Sequence, residues 1–243
     1  MYKGKRFSAI ILAGGSGKRM SSKRPKQYMD IHNKPLLYYS IQAFQESDVD
    51  EIIIVSDPAH HDYCAYYIVK KYRFSKVKRV VDGGDERFQS SANGLNVVGD
   101  SDYVLIHDGA RPCLSQETIR HCMDTVMEHG ACTAAVPMID TVCQVDETNR
   151  IGHIPNRNLL WSIQTPQCFR RDEIIQAHRM LAEALPQMDE TEQKLITDDV
   201  RVYKSMLGLD VYTCLGSYEN IKVTTLSDVN KVKTYIAAHT KVL

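Results

Sequence analysis

The part of the sequence that most clearly points to chemistry is a glycine-rich stretch near its start, closely followed by basic residues. The apolar run Ala9-Ile10-Ile11-Leu12 leads directly into Ala13-Gly14-Gly15-Ser16-Gly17. The next nine positions hold five basic residues and no acidic one: Lys18, Arg19, Lys23, Arg24 and Lys26. Glycines let successive backbone N–H groups converge on an anion, and a solvated basic helix usually interleaves acids with its cations. The stretch therefore predicts a phosphate-binding loop, with a plain strand-to-helix turn as the alternative.

Neither of the two best-known phosphate loops accounts for this stretch. The run Gly15-Ser16-Gly17-Lys18-Arg19-Met20 lacks the third glycine of the dinucleotide fingerprint. The pair Gly17-Lys18 lacks the upstream glycine and the following Ser or Thr of a Walker loop. A dinucleotide-dependent oxidoreductase would also need an acid at the end of the second strand. Asp57 lies near that position, but the incomplete glycine loop outweighs this match.

Two further motifs follow apolar runs and add groups that could bind a ligand. The first is Val81-Asp82-Gly83-Gly84-Asp85-Glu86-Arg87, with Ser90 three residues later. It could place backbone groups against a base, or it could form a turn with a helix cap. The second is His107-Asp108-Gly109-Ala110-Arg111-Pro112. Ligands bind at the carboxyl ends of parallel strands, so Asp108 could hold a metal ion or a substrate hydroxyl. Capping a helix is the alternative for Asp108.

Apolar, β-rich runs alternate with helical patterns up to residue 137. The predicted strands are 8–12, 51–55, 77–81, 103–106 and 131–137, and the predicted helices between them are 36–44, 63–72, 88–98 and 117–129. Continuous apolar strands separated by helix-length segments indicate parallel strands that are covered on both faces. The predicted fold class is therefore α/β, with a single doubly wound, mostly parallel sheet.

The region 138–161 breaks this alternation. It alternates apolar and polar residues, turns at 147–150 and has no helical stripe, so we expect a protruding β-arm. Helical patterns return at 172–185, 198–207 and 227–239, with a strand at 211–214. Because no repeat or linker marks a boundary, residues 1–243 are predicted to form a single domain that includes the arm.

The composition limits the classes of protein that the chain can belong to. Its 243 residues are 43% hydrophobic and carry 30 basic against 30 acidic side chains, which excludes disorder and argues against a protein that wraps nucleic acid. Within the first 40 residues, however, nine basic side chains accompany the single acid Asp30.

No apolar run approaches the roughly 20 residues that cross a bilayer, so we expect a cytoplasmic protein. Seven cysteines without a C-x-x-C pair indicate reduced thiols.

Taken together, these motifs resemble one family, the 2-C-methyl-D-erythritol 4-phosphate cytidylyltransferases of the non-mevalonate isoprenoid pathway. The glycine loop followed by Pro25-Lys26 resembles the L-A-G-G-x-G-x-R-M and P-K signature of nucleotidyltransferases. The two later motifs resemble the family's G-G-x-x-R and H-D-x-A-R-P. The resemblance covers nearly the whole chain and continues through the segments 137–141, 156–161, 164–167, 197–199 and 216–224.

The resemblance implies a Rossmann-like nucleotidyltransferase fold and the transfer of CMP from CTP to the phosphate of methylerythritol phosphate, with release of pyrophosphate. It implies four catalytic cations, Arg19, Lys26, Arg157 and Lys222. The first two would contact the triphosphate, and the last two would hold the attacking phosphate. It assigns the nucleotide to Ala13, Gly14, Gly15, Gly17, Gly84, Asp85 and Ser90.

On the acceptor side, the resemblance implies Asp108, Arg111, Thr141, Thr165 and Glu219. Thr141 and Arg157 would come from the arm of a partner subunit, which implies a homodimer with exchanged arms. Position 219 is Glu where some members carry Asp. Mg²⁺ is expected on the CTP phosphates, with Asp108 as the candidate protein ligand.

Two other functions stay open on the sequence alone. Ribitol 5-phosphate cytidylyltransferase has the same loops and a similar arm, although the segments 108–112 and 159–161 look closer to the methylerythritol family. A non-catalytic nucleotide-binding module would be expected to lose the cations at positions 19, 26, 157 and 222, all of which are present.

Overall fold

A central β-sheet with helices on both faces organises the chain. The computed structural model describes residues 1–15 and 25–239. The strands are β1 (Phe7–Ala13), β2 (Asp30–Ile31), β3 (Lys34–Pro35), β4 (Glu51–Ser56), β5 (Val77–Asp82), β6 (Tyr103–Asp108), β7 (Ala131–Pro137), β8 (Trp161–Arg170) and β9 (Tyr212–Leu215). The α-helices are α1 (Leu36–Gln45), α2 (Arg87–Leu95), α3 (Gln116–His129), α4 (Arg171–Ala184), α5 (Glu190–Lys194), α6 (Asp199–Leu207) and α7 (Leu226–His239). Short 3₁₀ helices lie at Lys26–Tyr28, Pro58–His60, Arg157–Leu159 and Leu185–Gln187, and a π-helix at Tyr63–Lys70.

Within the described residues, the central sheet has seven strands in the order β5-β4-β1-β6-β8-β7-β9. Strand β1 runs parallel to β4 and β6, β4 runs parallel to β5, and β7 runs parallel to β9. Strand β8 is antiparallel to both of its neighbours. The predicted α/β class with a mostly parallel sheet is therefore confirmed.

Alternate residues of β1 enter two different hydrophobic cores, which explains why every residue of this strand except Ser8 is apolar. Ile11 belongs to the same core as Leu37 of α1 on one face of the sheet. Ile10 belongs to the core on the other face, together with Leu95 of α2. Because successive strand residues point to opposite faces, a strand covered on both sides needs apolar side chains at nearly every position.

Strand β8 has no counterpart among the predicted elements. Pro166 in its middle disfavours a central strand, and Gln164 and Gln167 interrupt the apolar pattern. Both glutamines are nevertheless buried because their side chains are hydrogen-bonded. Gln167 accepts from the backbone N–H of Asp199 at 2.9 Å, and Gln164 donates to the carbonyl of Ser217 at 2.8 Å. These partners are distant in sequence, so no local pattern reveals the strand.

The predicted arm is present between β7 and β8. Its backbone pairing centres on the bridge between Val145 and Ile151, so the arm is a loose ribbon rather than a regular two-stranded one. Most side chains between residues 138 and 160 are exposed. The arm therefore extends away from the two cores that surround the sheet.

Two expectations from composition can be compared with the structure. The seven cysteines are free thiols, and all are buried except Cys143. Among the helices of residues 1–15 and 25–239, none combines the length and the apolar character needed to cross a bilayer.

Candidate active site

A cleft opens at the edge of the sheet where the parallel strands end. Strands β1, β5 and β6 end at Ala13, Asp82 and Asp108, and the carboxyl ends of parallel strands share one edge. The cleft is lined by Leu12, Ala13, Gly14, Gly15, Lys26, Gln27, Gly84, Asp85, Glu86, Arg87, Ser90, Asp108, Ala110 and Lys222. Residues predicted for the nucleotide and residues predicted for the acceptor thus line one cavity.

Gln27 anchors the start of the glycine loop. Its side-chain amide donates to the carbonyl of Ala13 at 2.6 Å and to the carbonyl of Gly15 at 3.1 Å. Gln27 is only 2% exposed. Because one buried side chain holds both carbonyls, the loop backbone from Ala13 to Gly15 has a fixed position in the cleft. Lys26, the neighbour of Gln27 in the chain, also lines the cleft.

Replacing Gln27 with methionine is expected to weaken nucleotide binding. The variant keeps the length of the side chain but removes both hydrogen bonds to the loop, and an unsatisfied buried polar group costs about 1–3 kcal/mol. We expect a lower Tm and a severalfold weaker affinity for CTP, measured by thermal unfolding and calorimetric titration. Gln193 is the matched control because its exposed side chain also donates to two backbone carbonyls. Equal losses of CTP affinity in Gln27→Met and Gln193→Met would contradict the anchoring role.

The turn after β5 brings the predicted base-recognition residues next to the glycine loop. The hydroxyl oxygen of Ser90 accepts from the backbone N–H of Gly84 at 3.1 Å, which ties α2 to the turn. A Cβ at Gly83 would lie 2.9 Å from this oxygen, so the close approach requires glycine. A Cβ at Gly14 would lie 3.6 Å from the same oxygen. Both positions therefore lie close to Ser90, which places the turn and the glycine loop on the same side of the cleft.

Asp108 gathers three cationic side chains at the end of β6. The ammonium of Lys222 lies 2.8 Å from Oδ2, the Nε atom of Arg111 lies 3.6 Å from Oδ2, and the Nε atom of Arg87 lies 3.6 Å from Oδ1. Burial alone would raise the pKa of Asp108, but the three cations outweigh it and hold this pKa far below its usual range. The site therefore presents an ionised carboxylate surrounded by an excess of positive charge.

Lys222 lies in an extended segment outside the sheet, not in a strand. The adjacent Val223 is fully buried, whereas the ammonium of Lys222 reaches Asp108 in the cleft. The family resemblance assigns Lys222 to the attacking phosphate, a role that requires its ammonium to lie in the cleft. The structure places it in the cleft.

The described residues fit a directly coordinated Mg²⁺ poorly. Both carboxylate oxygens of Asp108 already face cations, which compete with a metal ion for the same lone pairs. Residues 1–15 and 25–239 contain no group of three or more His, Cys, Asp or Glu side chains placed to hold an ion. Coordination of Mg²⁺ by Asp108 stays a prediction, and the contacts of this carboxylate argue against it.

Thr165 lies behind Asp108 and is 3% exposed. Its hydroxyl oxygen accepts from the backbone N–H of Asp108 at 3.1 Å and contacts Nδ1 of His107 at 3.0 Å. Nε2 of His107 lies 3.1 Å from the carbonyl of Arg111. Because a carbonyl only accepts, Nε2 carries the proton, and the hydroxyl of Thr165 donates to Nδ1. Thr165 thus fixes the backbone of Asp108, and its predicted contact with the acceptor stays a prediction.

Acidification is expected to destabilise the fold through His107. Complete burial lowers the pKa of His107 from 6.5 to about 4. Between these values the unfolded chain binds a proton that the folded chain excludes, so stability falls as the pH drops from about 6.5 to about 4. Between pH 7 and pH 4.5, we expect the free energy of unfolding to fall by about 2–3 kcal/mol less in His107→Asn than in wild type. Denaturant unfolding at the two pH values measures this difference. The control is His153→Asn, because His153 is exposed. An equal loss of unfolding free energy on acidification in wild type, His107→Asn and His153→Asn would contradict the role of His107.

Several predicted residues lie away from the cleft lining of their own chain. Thr141 and Arg157 are exposed on the arm, where the guanidinium of Arg157 donates to the arm's own backbone at 2.9 Å. Glu219 is exposed in a second pocket. Gly17 and Arg19 lie outside the described residues. The roles assigned to these five residues stay predictions, as do those of the other candidate site residues.

Among the described residues, five that line the cleft had no predicted role: Leu12, Gln27, Glu86, Arg87 and Ala110. Two of these, Gln27 and Arg87, make contacts that hold the site together. Gln27 follows Lys26 directly, and only its contacts show that it holds the glycine loop. Arg87 is the last residue of the G-G-x-x-R motif, and this position is the sequence feature that could have identified it as a site residue. Its contact with Asp108 joins the two halves of the cleft.

Comparisons with known proteins agree with this geometry. A sequence model of the family described as 2-C-methyl-D-erythritol 4-phosphate cytidylyltransferase matches residues 7–238. The 2-C-methyl-D-erythritol 4-phosphate cytidylyltransferase of Lachnospira eligens is 42% identical over 223 residues, which cover 91% of this chain and 95% of the relative. That of Lachnoclostridium phytofermentans is 40% identical over 234 residues, which cover 96% and 97%.

A solved structure shows the same similarity in three dimensions. The crystal structure of 4-diphosphocytidyl-2C-methyl-D-erythritol synthase from Anaerococcus prevotii matches with a TM-score of 0.80 at 28% identity. The match covers 97% of this chain and 100% of that one. The similarity thus extends over the sheet, the cleft and the arm. The chain belongs to the 2-C-methyl-D-erythritol 4-phosphate cytidylyltransferase family.

Proposed function

We propose that this chain transfers CMP from CTP to 2-C-methyl-D-erythritol 4-phosphate, giving 4-diphosphocytidyl-2-C-methyl-D-erythritol and pyrophosphate. The observation that carries the proposal is the cleft, where a glycine loop at the end of β1 and the cations around Asp108 line one cavity. A nucleoside triphosphate and a phosphorylated acceptor are both anions, and the cleft offers each a binding surface. Membership of the family supplies the identity of the two substrates.

The reaction calls for fixed cations rather than an activated nucleophile. A phosphate oxygen of the acceptor is already anionic, and it attacks the α-phosphorus of CTP. One P–O bond forms, the bond from the α-phosphorus to the oxygen shared with the β-phosphate breaks, and pyrophosphate leaves. The part of the lining that the structure describes contains no His or Cys, but it contains Lys26 and Lys222. Positioned cations stabilise the charge that develops around phosphorus.

The two lysines serve different substrates. Lys26 adjoins the glycine loop and would steady the triphosphate, together with the backbone of Gly14 and Gly15. Lys222 is held by Asp108 and would receive the attacking phosphate. The turn that Ser90 ties to α2 would accommodate the cytosine. In this arrangement the acceptor phosphate approaches the α-phosphorus from the Asp108 side of the cleft.

We further propose that Mg²⁺ reaches the cleft on the phosphates of CTP. Mg²⁺ usually keeps several waters and is bound by one or two carboxylates together with substrate phosphates. The oxygens of Asp108 are already paired with cations, so the phosphate oxygens would supply the remaining ligands. When bound, the ion would offset part of the negative charge of the triphosphate.

We also propose that the arm completes the site of a second copy of the chain. Thr141 and Arg157 are exposed on the arm and are not among the residues that line the cleft of their own chain. The arm also exposes large apolar side chains, among them Ile139 (64%), Ile151 (60%) and Leu159 (77%). Contiguous exposed apolar residues mark interaction surfaces. A homodimer with exchanged arms would cover them and bring Arg157 to the partner's acceptor phosphate.

Pyrophosphate release from CTP tests the proposed reaction. The assay uses 2-C-methyl-D-erythritol 4-phosphate and, separately, ribitol 5-phosphate as acceptors, with Lys222→Met as the blank for contaminating enzymes. We expect turnover with the methylerythritol acceptor and little with the ribitol acceptor. Faster release with ribitol 5-phosphate would replace the proposed acceptor. Absence of release with both acceptors would contradict the proposed function.

A further inference from the structure

Arg87 connects the cleft to a buried carboxylate that lies outside it. Arg87 is the first residue of α2, and its side chain is 22% exposed. Its Nη1 donates to Oδ2 of Asp199 at 2.6 Å, and its Nε lies 3.6 Å from Oδ1 of Asp108. One guanidinium therefore holds two carboxylates that belong to different elements, β6 and α6.

Asp199 is a fixed partner for this guanidinium. It is fully buried, and its Oδ1 lies 3.2 Å from Nε2 of His178 on α4. Its backbone N–H donates to the side chain of Gln167 on β8 at 2.9 Å. Burial opposes ionisation, but Arg87 outweighs it and lowers the pKa of Asp199 to about 2. The carboxylate is therefore charged and held by contacts from α2, α4 and β8.

We propose that Arg87 is a positioning residue, which uses Asp199 as its anchor to fix Asp108 and, through Asp108, the ammonium of Lys222. This inference rests on the proposed function. Because Lys222 lies 2.8 Å from Asp108, a displaced carboxylate carries the ammonium away from the attacking phosphate. A misplacement of about 1 Å can cost about a hundredfold in rate. A planar guanidinium can hold two carboxylates at once, whereas the point charge of a lysine cannot reproduce that geometry.

A competing explanation is that Arg87 only compensates the charge of buried Asp199. In that case Arg87 would contribute to stability and not to catalysis. The double variant Arg87→Met/Asp199→Asn separates the two roles because it removes both charges together. We expect the double variant to regain most of the Tm that Arg87→Met loses. We also expect its kcat to stay at least about tenfold below wild type and its KM for the acceptor to rise more than its KM for CTP. Recovery of kcat and both KM values along with the Tm would overturn the proposal.

The single variant Asp199→Asn tests the anchor even if the double variant fails to fold. It leaves every residue of the cleft lining in place, and one of them, Arg87, contacts Asp199, so we expect an effect on the acceptor to pass through this guanidinium. We expect a severalfold higher KM for the acceptor, and Arg87→Lys should behave like Arg87→Met. The matched control is Arg201→Gln, an exposed arginine of α6, with unchanged kinetics.

The outcomes also separate this inference from the proposed function. Wild-type turnover together with unchanged kinetics in Asp199→Asn would overturn the positioning role alone. Absence of turnover in the wild-type chain would contradict the proposed function and, with it, the inference that depends on it.

Discussion

Replacing Lys222 with methionine is expected to lower kcat about a hundredfold. The ammonium of Lys222 lies 2.8 Å from Asp108 and lines the cleft, so it can contact the attacking phosphate directly. Loss of one preorganised charge at a transition state costs about 3 kcal/mol, which corresponds to about a hundredfold in rate. Methionine keeps the length and the apolar stem of lysine, so the change removes the charge and little else. Initial rates of pyrophosphate release at saturating CTP and acceptor measure the effect.

The same substitution should leave the fold intact. Asp108 keeps Arg87 and Arg111 as partners in the variant, so no buried charge loses its compensation. We expect a Tm within a few degrees of wild type. Lys204→Met is the matched control because Lys204 is an exposed lysine of α6 that also pairs with an aspartate. A kcat for Lys222→Met near that of wild type would contradict the assigned role of Lys222.

Mixing two inactive variants is expected to restore activity if the arm serves the partner's site. In a hybrid dimer of Arg157→Ala and Lys222→Ala chains, one site combines the intact Lys222 of the first chain with the intact Arg157 of the second. The other site carries both substitutions. Random assembly of equal amounts makes half of the dimers hybrids, so we expect about a quarter of wild-type activity. Each variant alone should retain about one per cent.

The mixing experiment requires that the chains exchange partners. The two variants are therefore unfolded together and refolded, and recovery is compared with wild type treated in the same way. A mixture of Lys222→Ala with Asp108→Ala is the negative control, since both substitutions lie in one half of the same cleft. Activity of the first mixture no higher than that of its separate components would contradict the exchanged arms.

The sequence predicted the parts of the fold that depend on local pattern. The apolar runs that became β1, β4, β6 and β7 were recognisable because parallel strands covered on both faces need apolar side chains at nearly every position. The edge strand β5 was recognisable from its three valines, although Lys78 and Arg79 are exposed. The glycine loop and Asp108 were placed correctly at the same edge of the sheet, since that edge follows from strand direction alone. Local pattern was therefore enough to locate the cleft.

The parts that were missed depend on contacts between segments distant in sequence. Strand β8 contains Gln164, Pro166 and Gln167, which look unlike a central strand until their partners are known. The contact of Arg87 with Asp199 spans 112 positions, and no spacing rule reveals it. The same holds for Gln27, whose role depends on which carbonyls it reaches.

The reversed direction of β8 determines where the arm leaves the sheet. Because β8 is antiparallel to both β6 and β7, the end of β7 at Pro137 and the start of β8 at Trp161 lie at the edge that carries Asp108. A parallel β8 would need a crossover, and its connection would begin and end at opposite edges. Surface connections tolerate insertions and deletions better than the strands they join. The length of the segment between Pro137 and Trp161 can therefore change while every strand keeps its place, so the reach of the arm is set independently of the sheet.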